Sequence, residues 1–73
     1  MPKLPNLSGG EVVSVFHRFG WAIARQRGSH IIMAKKDEII TLSIPNHKEV
    51  AKGTLRSLIR TANITINDFL ATL

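Results

Sequence analysis

The stretch Arg25-Gln26-Arg27-Gly28-Ser29-His30, followed by the apolar run Ile31-Ile32-Met33, predicts a β-hairpin on which the rest of the fold depends. Gly28 suits a tight turn because glycine adopts positive φ without steric cost. The stretch also places an imidazole, which exchanges protons near neutral pH, beside two guanidinium groups, which bind phosphate oxygens through forked donors. We therefore expect a phosphodiester-cleaving or RNA-binding site on this hairpin.

Composition limits the class of protein. The chain has 73 residues, 44% of them hydrophobic, which predicts one domain over residues 1–73 with a single core. Ten Lys and Arg against five Asp and Glu give a net charge of +5, which favours an anionic partner such as nucleic acid. The absence of cysteine excludes disulfides and thiolate zinc sites and fits a cytoplasmic protein. No apolar run approaches the roughly 18 residues of a membrane span, so no membrane contact is expected.

Capping signals and apolar spacing predict three helices. Ser8-Gly9-Gly10-Glu11 is a capping box, and a helix is expected from Gly9 to Phe19, ended by Gly20. A second helix is expected from about Ala51 to Ala62, and a short third one from Thr65. The apolar stripes of the three helices are Val12, Val15, Phe16 and Phe19; Leu55, Leu58, Ile59 and Ala62; and Phe69, Leu70 and Leu73.

Alternation of apolar and polar residues predicts three strands. They are expected at Trp21 to Arg25, Ser29 to Lys35 and Ile39 to Ile44, with a turn at Gln26 to Gly28. Trp21 and Ile23 would share one face of the first strand, and Ile40, Leu42 and Ile44 one face of the third. Met1 to Leu7 is expected to be an extended lead-in, stiffened by Pro2 and Pro5, without the apolar segment of a signal peptide.

The predicted architecture is α-β-β-β-α with a short terminal helix. It is an α+β fold in which a three-stranded antiparallel sheet has its helices on one face and turns the other face to water. Double-stranded-RNA-binding domains have this layout. Shape alone does not establish a function.

His30 is the candidate general base of the hairpin. A neutral imidazole there would take the proton from a ribose 2′-hydroxyl that then attacks the adjacent phosphorus. Arg25 and Arg27 would stabilise the charge on the phosphoryl oxygens, Ser29 would hydrogen-bond a phosphate, and Gly28 would leave room for it. DNA lacks the attacking hydroxyl, so the chemistry selects RNA.

Three further positions are weaker candidates. His47 follows the third strand and would be a complementary acid, a phosphate contact or an ordinary loop residue. Lys52 and Arg56, together with Arg60, are spaced by four along the second helix and are either secondary phosphate contacts or a solvated flank. Histidines and acids lack the spacing of a metal site, so neither a metal nor another cofactor is expected.

The chain resembles the HicA family of bacterial toxins, which are messenger-RNA interferases of type II toxin–antitoxin systems. The resemblance runs from about Leu7 to Leu73. The motifs that carry it are Ser8-Gly9-Gly10-Glu11-Val12, Arg27-Gly28-Ser29-His30, Ile44-Pro45-Asn46-His47 and Lys52-Gly53-Thr54-Leu55-Arg56-Ser57-Leu58-Ile59-Arg60. It implies a double-stranded-RNA-binding-like fold and metal-independent cleavage of messenger RNA. It also implies one catalytic histidine at His30, and a HicB-type antitoxin that binds the toxin and masks that site.

The family's second recurring histidine falls on His47. Two departures from the family pattern are Trp21, where a smaller aromatic is commoner, and Asn63, which replaces a glycine. Asparagine tolerates positive φ, so the turn at Asn63 is expected to form. No small-molecule ligand is expected.

Two alternatives remain open on the sequence. A non-catalytic RNA-binding module would bind RNA with strong salt dependence and leave it intact. A domain devoted to protein association would keep its partner after Arg25, Arg27 and Arg56 are neutralised.

Overall fold

The computed structural model describes residues 3–73, so the expected stiffening by Pro2 lies outside the described residues. The elements in chain order are α1 (Gly9–Arg18), β1 (Ala22–Arg27), β2 (His30–Ala34), β3 (Leu42–Pro45), α2 (Lys52–Thr61) and α3 (Ile66–Ala71). The strands form one antiparallel sheet in the order β1-β2-β3. The predicted fold class and element order are confirmed.

A hydrophobic core lies between the sheet and the helices. Met33, Leu42 and Ile44 point from the sheet into this core, and exposed Ser43 separates the last two along β3. Because neighbouring residues of a strand point to opposite faces, the helices cover one face and leave the other open. The helices contribute Val12, Val15, Phe16, Leu55, Leu58, Ile59 and Phe69.

The helix caps form as predicted. The Ser8 hydroxyl accepts a bond from the Glu11 N–H at 3.2 Å, and the Glu11 carboxylate accepts one from the Ser8 N–H at 3.0 Å. The helix α1 ends one residue earlier than predicted, at Arg18, before Gly20 takes φ 96°. Asn63 adopts φ 60° after α2, so the turn expected there is present.

The hairpin between β1 and β2 is tighter than predicted. Arg27 and His30 are direct cross-strand partners, so the loop is Gly28–Ser29 and the predicted turn at Gln26 to Gly28 is wrong. Gly28 takes φ 57° at the first loop position, as a type II′ turn requires. A two-residue turn of this kind matches the twist of the strands, which lets pairing continue to Arg27.

A β-bulge in β1 changes which side chains face the helices. Ile23 lies opposite Met33 and Arg25 lies opposite Ile32, so Ala24 is an extra residue without a partner. Met33 and Ile32 are adjacent and point to opposite faces. Ile23 is therefore on the helix side and Arg25 on the open side, although simple alternation would place both on one face.

The strand β3 is shorter than predicted. It begins at Leu42, and Ile39 and Ile40 lie in the connection before it, where they are 99% and 53% exposed. Asp37 takes φ 68° in this connection and turns the chain away from β2. The expectation that Ile40 shares the buried face of Leu42 is therefore wrong.

The lead-in contributes more to the core than the sequence indicates. Leu4 and Leu7 are buried, and the Val50 N–H donates to the Leu7 carbonyl at 2.7 Å. This bond ties the lead-in to the connection between β3 and α2. The first residues of the described chain are thus part of the folded structure.

The C-terminal helix packs as predicted except at its end. Phe69 is buried against Phe16, with ring centroids 5.5 Å apart, and Leu70 packs against the core. Leu73 is 57% exposed, contrary to expectation, because α3 ends at Ala71. None of the helices in residues 3–73 is long and apolar enough to cross a membrane.

Candidate active site

The open face of the sheet carries two rows of cross-strand neighbours. Side chains directly opposite each other on one face have Cβ atoms about 4.5–5.5 Å apart, and rows two residues apart along a strand are separated by about 7 Å. The histidine row consists of Arg27, His30 and Pro45, and the isoleucine row consists of Arg25, Ile32 and Ser43.

A cleft of about 320 Å³ opens across both rows. It is lined by Arg27, His30, Ile32 and Ser43. His30 is exposed, so its imidazole is accessible to a ligand from solvent. The cleft therefore presents a proton-exchanging ring, a guanidinium group, a hydroxyl and an apolar side chain within one small volume. A base next to a cationic anion-binding group is suited to chemistry on a phosphate ester.

The hairpin loop Gly28–Ser29 joins the cleft residues Arg27 and His30, although neither loop residue lines the cleft itself. The Asn46 N–H donates to the Ser29 carbonyl at 2.7 Å, which ties the loop to the connection after β3. The Gln26 side-chain amide donates to the Gly28 carbonyl at 3.3 Å. A Cβ placed on Gly28 would meet no atom within 4 Å, so the space beside the loop is open.

His47 lies in the connection between β3 and α2, near the same end of the sheet. Its carbonyl accepts a bond from the Gly9 N–H at 2.9 Å, and its side chain is exposed. The start of α1, this connection and the hairpin loop are thus joined through Gly9, His47, Asn46 and Ser29. The His47 side chain does not line the cleft.

Lys52 and Arg56 lie in the helix layer, and neither lines the cleft that contains His30. The Lys52 ammonium group donates to the Asn6 side-chain carbonyl at 2.7 Å. Arg56 borders a separate groove of about 300 Å³, which is also lined by Ile59, Arg60, Ile64 and Ile66. The structure thus brings Arg27 to His30 and keeps these two cations apart from it.

Ile32 and Ser43 are cleft residues that the sequence reasoning did not single out. The sequence does indicate an exposed apolar residue near Ile32. The run Ile31-Ile32-Met33 is apolar throughout, and in a sheet covered on one face at least one residue of such a run must point to the open face. Alternation also placed Ser43 opposite to Leu42. Its position beside Ile32 follows only from the register of β2 and β3.

Metal ligands are not gathered in the described part of the chain. Across residues 3–73, no three His, Asp or Glu side chains form a group that could hold a metal ion.

Fold and site together define a class of protein. It is a small, basic α+β protein with the layout of a double-stranded-RNA-binding domain, and its open sheet face carries a cleft with a histidine and an arginine.

Comparisons with known proteins agree with this class. The model of a family described as the HicA toxin of bacterial toxin–antitoxin systems matches residues 9–64, which include α1, the whole sheet and α2. A chain in a solved toxin–antitoxin complex from Streptococcus pneumoniae is 32% identical, with a TM-score of 0.71, over 80% of this chain and 98% of that chain. No curated protein matches significantly. The chain belongs to the HicA toxin family.

Proposed function

We propose that this toxin is an endoribonuclease that cleaves messenger RNA without a metal ion and uses His30 as its general base. The observation that carries the proposal is the pairing of exposed His30 with Arg27 across the hairpin, inside a cleft on the open face. Membership of the toxin family supports it. The substrate and the absence of cysteine favour a cytoplasmic protein.

The reaction begins with proton transfer to His30. The neutral imidazole accepts the proton of a ribose 2′-hydroxyl, and the 2′-oxygen forms a bond to the adjacent phosphorus. The bond from phosphorus to the 5′-oxygen of the next nucleotide breaks, which leaves a 2′,3′-cyclic phosphate. The departing oxygen takes a proton from water and becomes a 5′-hydroxyl, and the proton on His30 returns to solvent. Arg27 stands beside the base, where it stabilises the charge that develops on the phosphoryl oxygens.

The RNA backbone is held around this centre. Arg25 belongs to the neighbouring row and binds a flanking phosphate. At the hairpin tip, Gly28 leaves room for the phosphate at the cleft, and the Ser29 hydroxyl hydrogen-bonds it. His47 contacts phosphate at the edge of the site. Lys52 and Arg56 are outer contacts for RNA that continues past the sheet, and they contribute salt-sensitive affinity rather than rate.

A HicB-type antitoxin is the proposed protein partner. The similar chain from Streptococcus pneumoniae was solved in a toxin–antitoxin complex, which supports a partner of this kind. The open face is exposed and carries Arg25 and Arg27, so an acidic antitoxin surface would complement it and block access to His30.

The experiment compares wild type, His30→Ala and His17→Ala. His17 is also an exposed histidine, but it lies on α1, where its ring Nδ1 is 3.1 Å from the Trp21 carbonyl oxygen, so its variant controls for loss of an imidazole outside the cleft. We expect His30→Ala to lower cleavage of a single-stranded RNA at least about 100-fold and to abolish growth arrest, since a general base contributes roughly 10²–10⁴-fold. His17→Ala should retain both activities.

Three outcomes would contradict the proposal. Equal toxicity of wild type and His30→Ala would remove His30 from the mechanism. RNA that is bound but left intact by wild type would favour the non-catalytic RNA-binding module. Loss of cleavage after addition of a chelator would refute the metal-free scheme.

A further inference from the structure

Ile32 places an apolar side chain on the face of the sheet that no described helix covers. Its neighbours Ile31 and Met33 point to the core, which accounts for their apolar character. Ile32 lies on the open side, half-buried between Arg25 of β1 and Ser43 of β3. The water-facing side of an antiparallel sheet typically carries polar residues. Packing of the core therefore does not explain an isoleucine at this position.

The isoleucine row lies next to the row that contains the proposed base. The two rows are about 7 Å apart along the strands, and one cleft connects them through Ile32 and His30. A phosphate held at His30 and Arg27 would therefore place the attached nucleoside against Ile32 and within reach of Ser43.

The cleft matches one nucleotide in size. Its volume of about 320 Å³ is at the small end of ligand pockets, which hold roughly 300–1,000 Å³. The cleft is open to solvent along the sheet face, and one nucleotide-sized group covers its four lining residues. A base that turns its face to Ile32 and its edge to Ser43 must have both free, so it must be unpaired and unstacked.

We propose that Ile32 and Ser43 form a nucleoside subsite that binds one unpaired nucleotide of the RNA next to the scissile phosphate. The inference rests on the proposed function, because it assigns the substrate group that lies beside His30. Ile32 contacts the apolar face of the ribose and base. The Ser43 hydroxyl, which both donates and accepts, hydrogen-bonds the edge of the base. Arg25, at the end of the same row, binds the phosphate on the far side of that nucleoside.

The two residues contribute differently to recognition. An aliphatic side chain contacts every base to a similar extent, so Ile32 supplies affinity without choosing between bases. A hydroxyl distinguishes donor from acceptor groups on the base edge, so Ser43 supplies the preference at this position. Substitutions at the two positions should therefore change different kinetic quantities.

The test uses single-stranded RNA oligonucleotides that contain one cleavage site and vary one flanking base at a time. For Ser43→Ala, we expect the ratio of kcat/KM between the best and worst base to fall about tenfold at one flanking position and to stay unchanged at the others. Ser43→Thr keeps the hydroxyl and should keep the preference. Ile32→Ala should raise KM several-fold for all bases with kcat unchanged.

Ser57→Ala is the matched control, because Ser57 is an exposed serine on α2, away from the cleft. An unchanged base preference in Ser43→Ala, or an equal change in Ser57→Ala, overturns the subsite. Cleavage by wild type and its loss in His30→Ala would then leave the proposed function standing. If folded wild-type protein cleaves none of the oligonucleotides, the proposed function fails and the subsite fails with it. Ser43 is exposed, so its variants test the proposal even if Ile32→Ala does not fold.

Discussion

Replacing Gly9 with alanine should destabilise the protein, whereas the same change at Gly10 should not. A Cβ on Gly9 would stand 2.9 Å from the Cα of Asn46 and closer still to the carbonyl oxygen of Pro45, both main-chain atoms. Ordinary contact begins near 3.4 Å, so relieving the Asn46 contact alone requires α1 and the connection after β3 to separate by about 0.5 Å, and the Pro45 contact requires more. At Gly10 the nearest atom to a new Cβ is the Ser8 hydroxyl oxygen at 3.9 Å, which leaves room for it.

The magnitude follows from two opposing terms. Overpacking of this kind costs about 1–3 kcal/mol, and alanine gains roughly 0.5–1 kcal/mol over glycine within a helix. Both clashing atoms belong to the main chain and cannot rotate away, so the upper part of the overpacking range applies and the net loss for Gly9→Ala is on the order of 1–2 kcal/mol of unfolding free energy. In a domain of this size 1 kcal/mol corresponds to about 4–8 °C, so Tm should fall by roughly 5–15 °C. Gly10→Ala should leave Tm unchanged or raise it by a few degrees.

Thermal unfolding can be followed by the fluorescence of Trp21, which is the only tryptophan and is 2% exposed. Circular dichroism at the same protein concentration provides an independent readout. Equal stability of Gly9→Ala and Gly10→Ala would contradict the close packing of the Gly9 main chain against Pro45 and Asn46.

Three further changes test other parts of the fold. Trp21→Phe removes an indole N–H that is buried without a hydrogen-bond partner among the described residues. The free energy of unfolding of this variant, measured in urea by circular dichroism, should therefore stay within about 1 kcal/mol of the wild-type value. Trp21→Ala should lose about 3–5 kcal/mol, and a similar loss for both variants would contradict this reasoning. Asn63→Gly should match or exceed wild type in Tm, while Asn63→Val should lose roughly 1–2 kcal/mol because φ is 60° there; equal Tm values would argue against that backbone conformation. Ser8→Ala removes the cap of α1 and should lower the urea midpoint by an amount equivalent to about 1 kcal/mol, compared with less than about 0.5 kcal/mol for Ser57→Ala.

The end of the sheet that carries the candidate site is held mainly by main-chain atoms. The Ser29 carbonyl accepts from the Asn46 N–H, and the His47 carbonyl accepts from the Gly9 N–H. Because these bonds do not use the Ser29 and His47 side chains, substitutions there leave the anchoring bonds in place. Changes in RNA cleavage by such variants would therefore report contacts with the substrate rather than loss of the loop.

The helices could be predicted from the sequence because their signals are local. Ser8 and Glu11 are three residues apart and cap each other, and Thr65 caps α3 by accepting from the Asp68 N–H at 3.0 Å. The apolar stripe of α2 is buried as its spacing indicated. The strand ends were less predictable. The pairing of Arg27 with His30 and the early start of β3 at Leu42 depend on partner strands, which the local pattern does not contain.

By itself, the sequence determined the fold class, the family and the residue types that can carry the chemistry, because capping, periodicity and the run from Arg25 to His30 act over short distances along the chain. Only the tertiary structure decided which side chains meet. The extra residue at Ala24 turns Arg25 to the open face, and the β2–β3 register sets Ser43 beside Ile32. Both results arise from hydrogen-bonded pairing between strands, in which a one-residue shift moves every side chain to the other face.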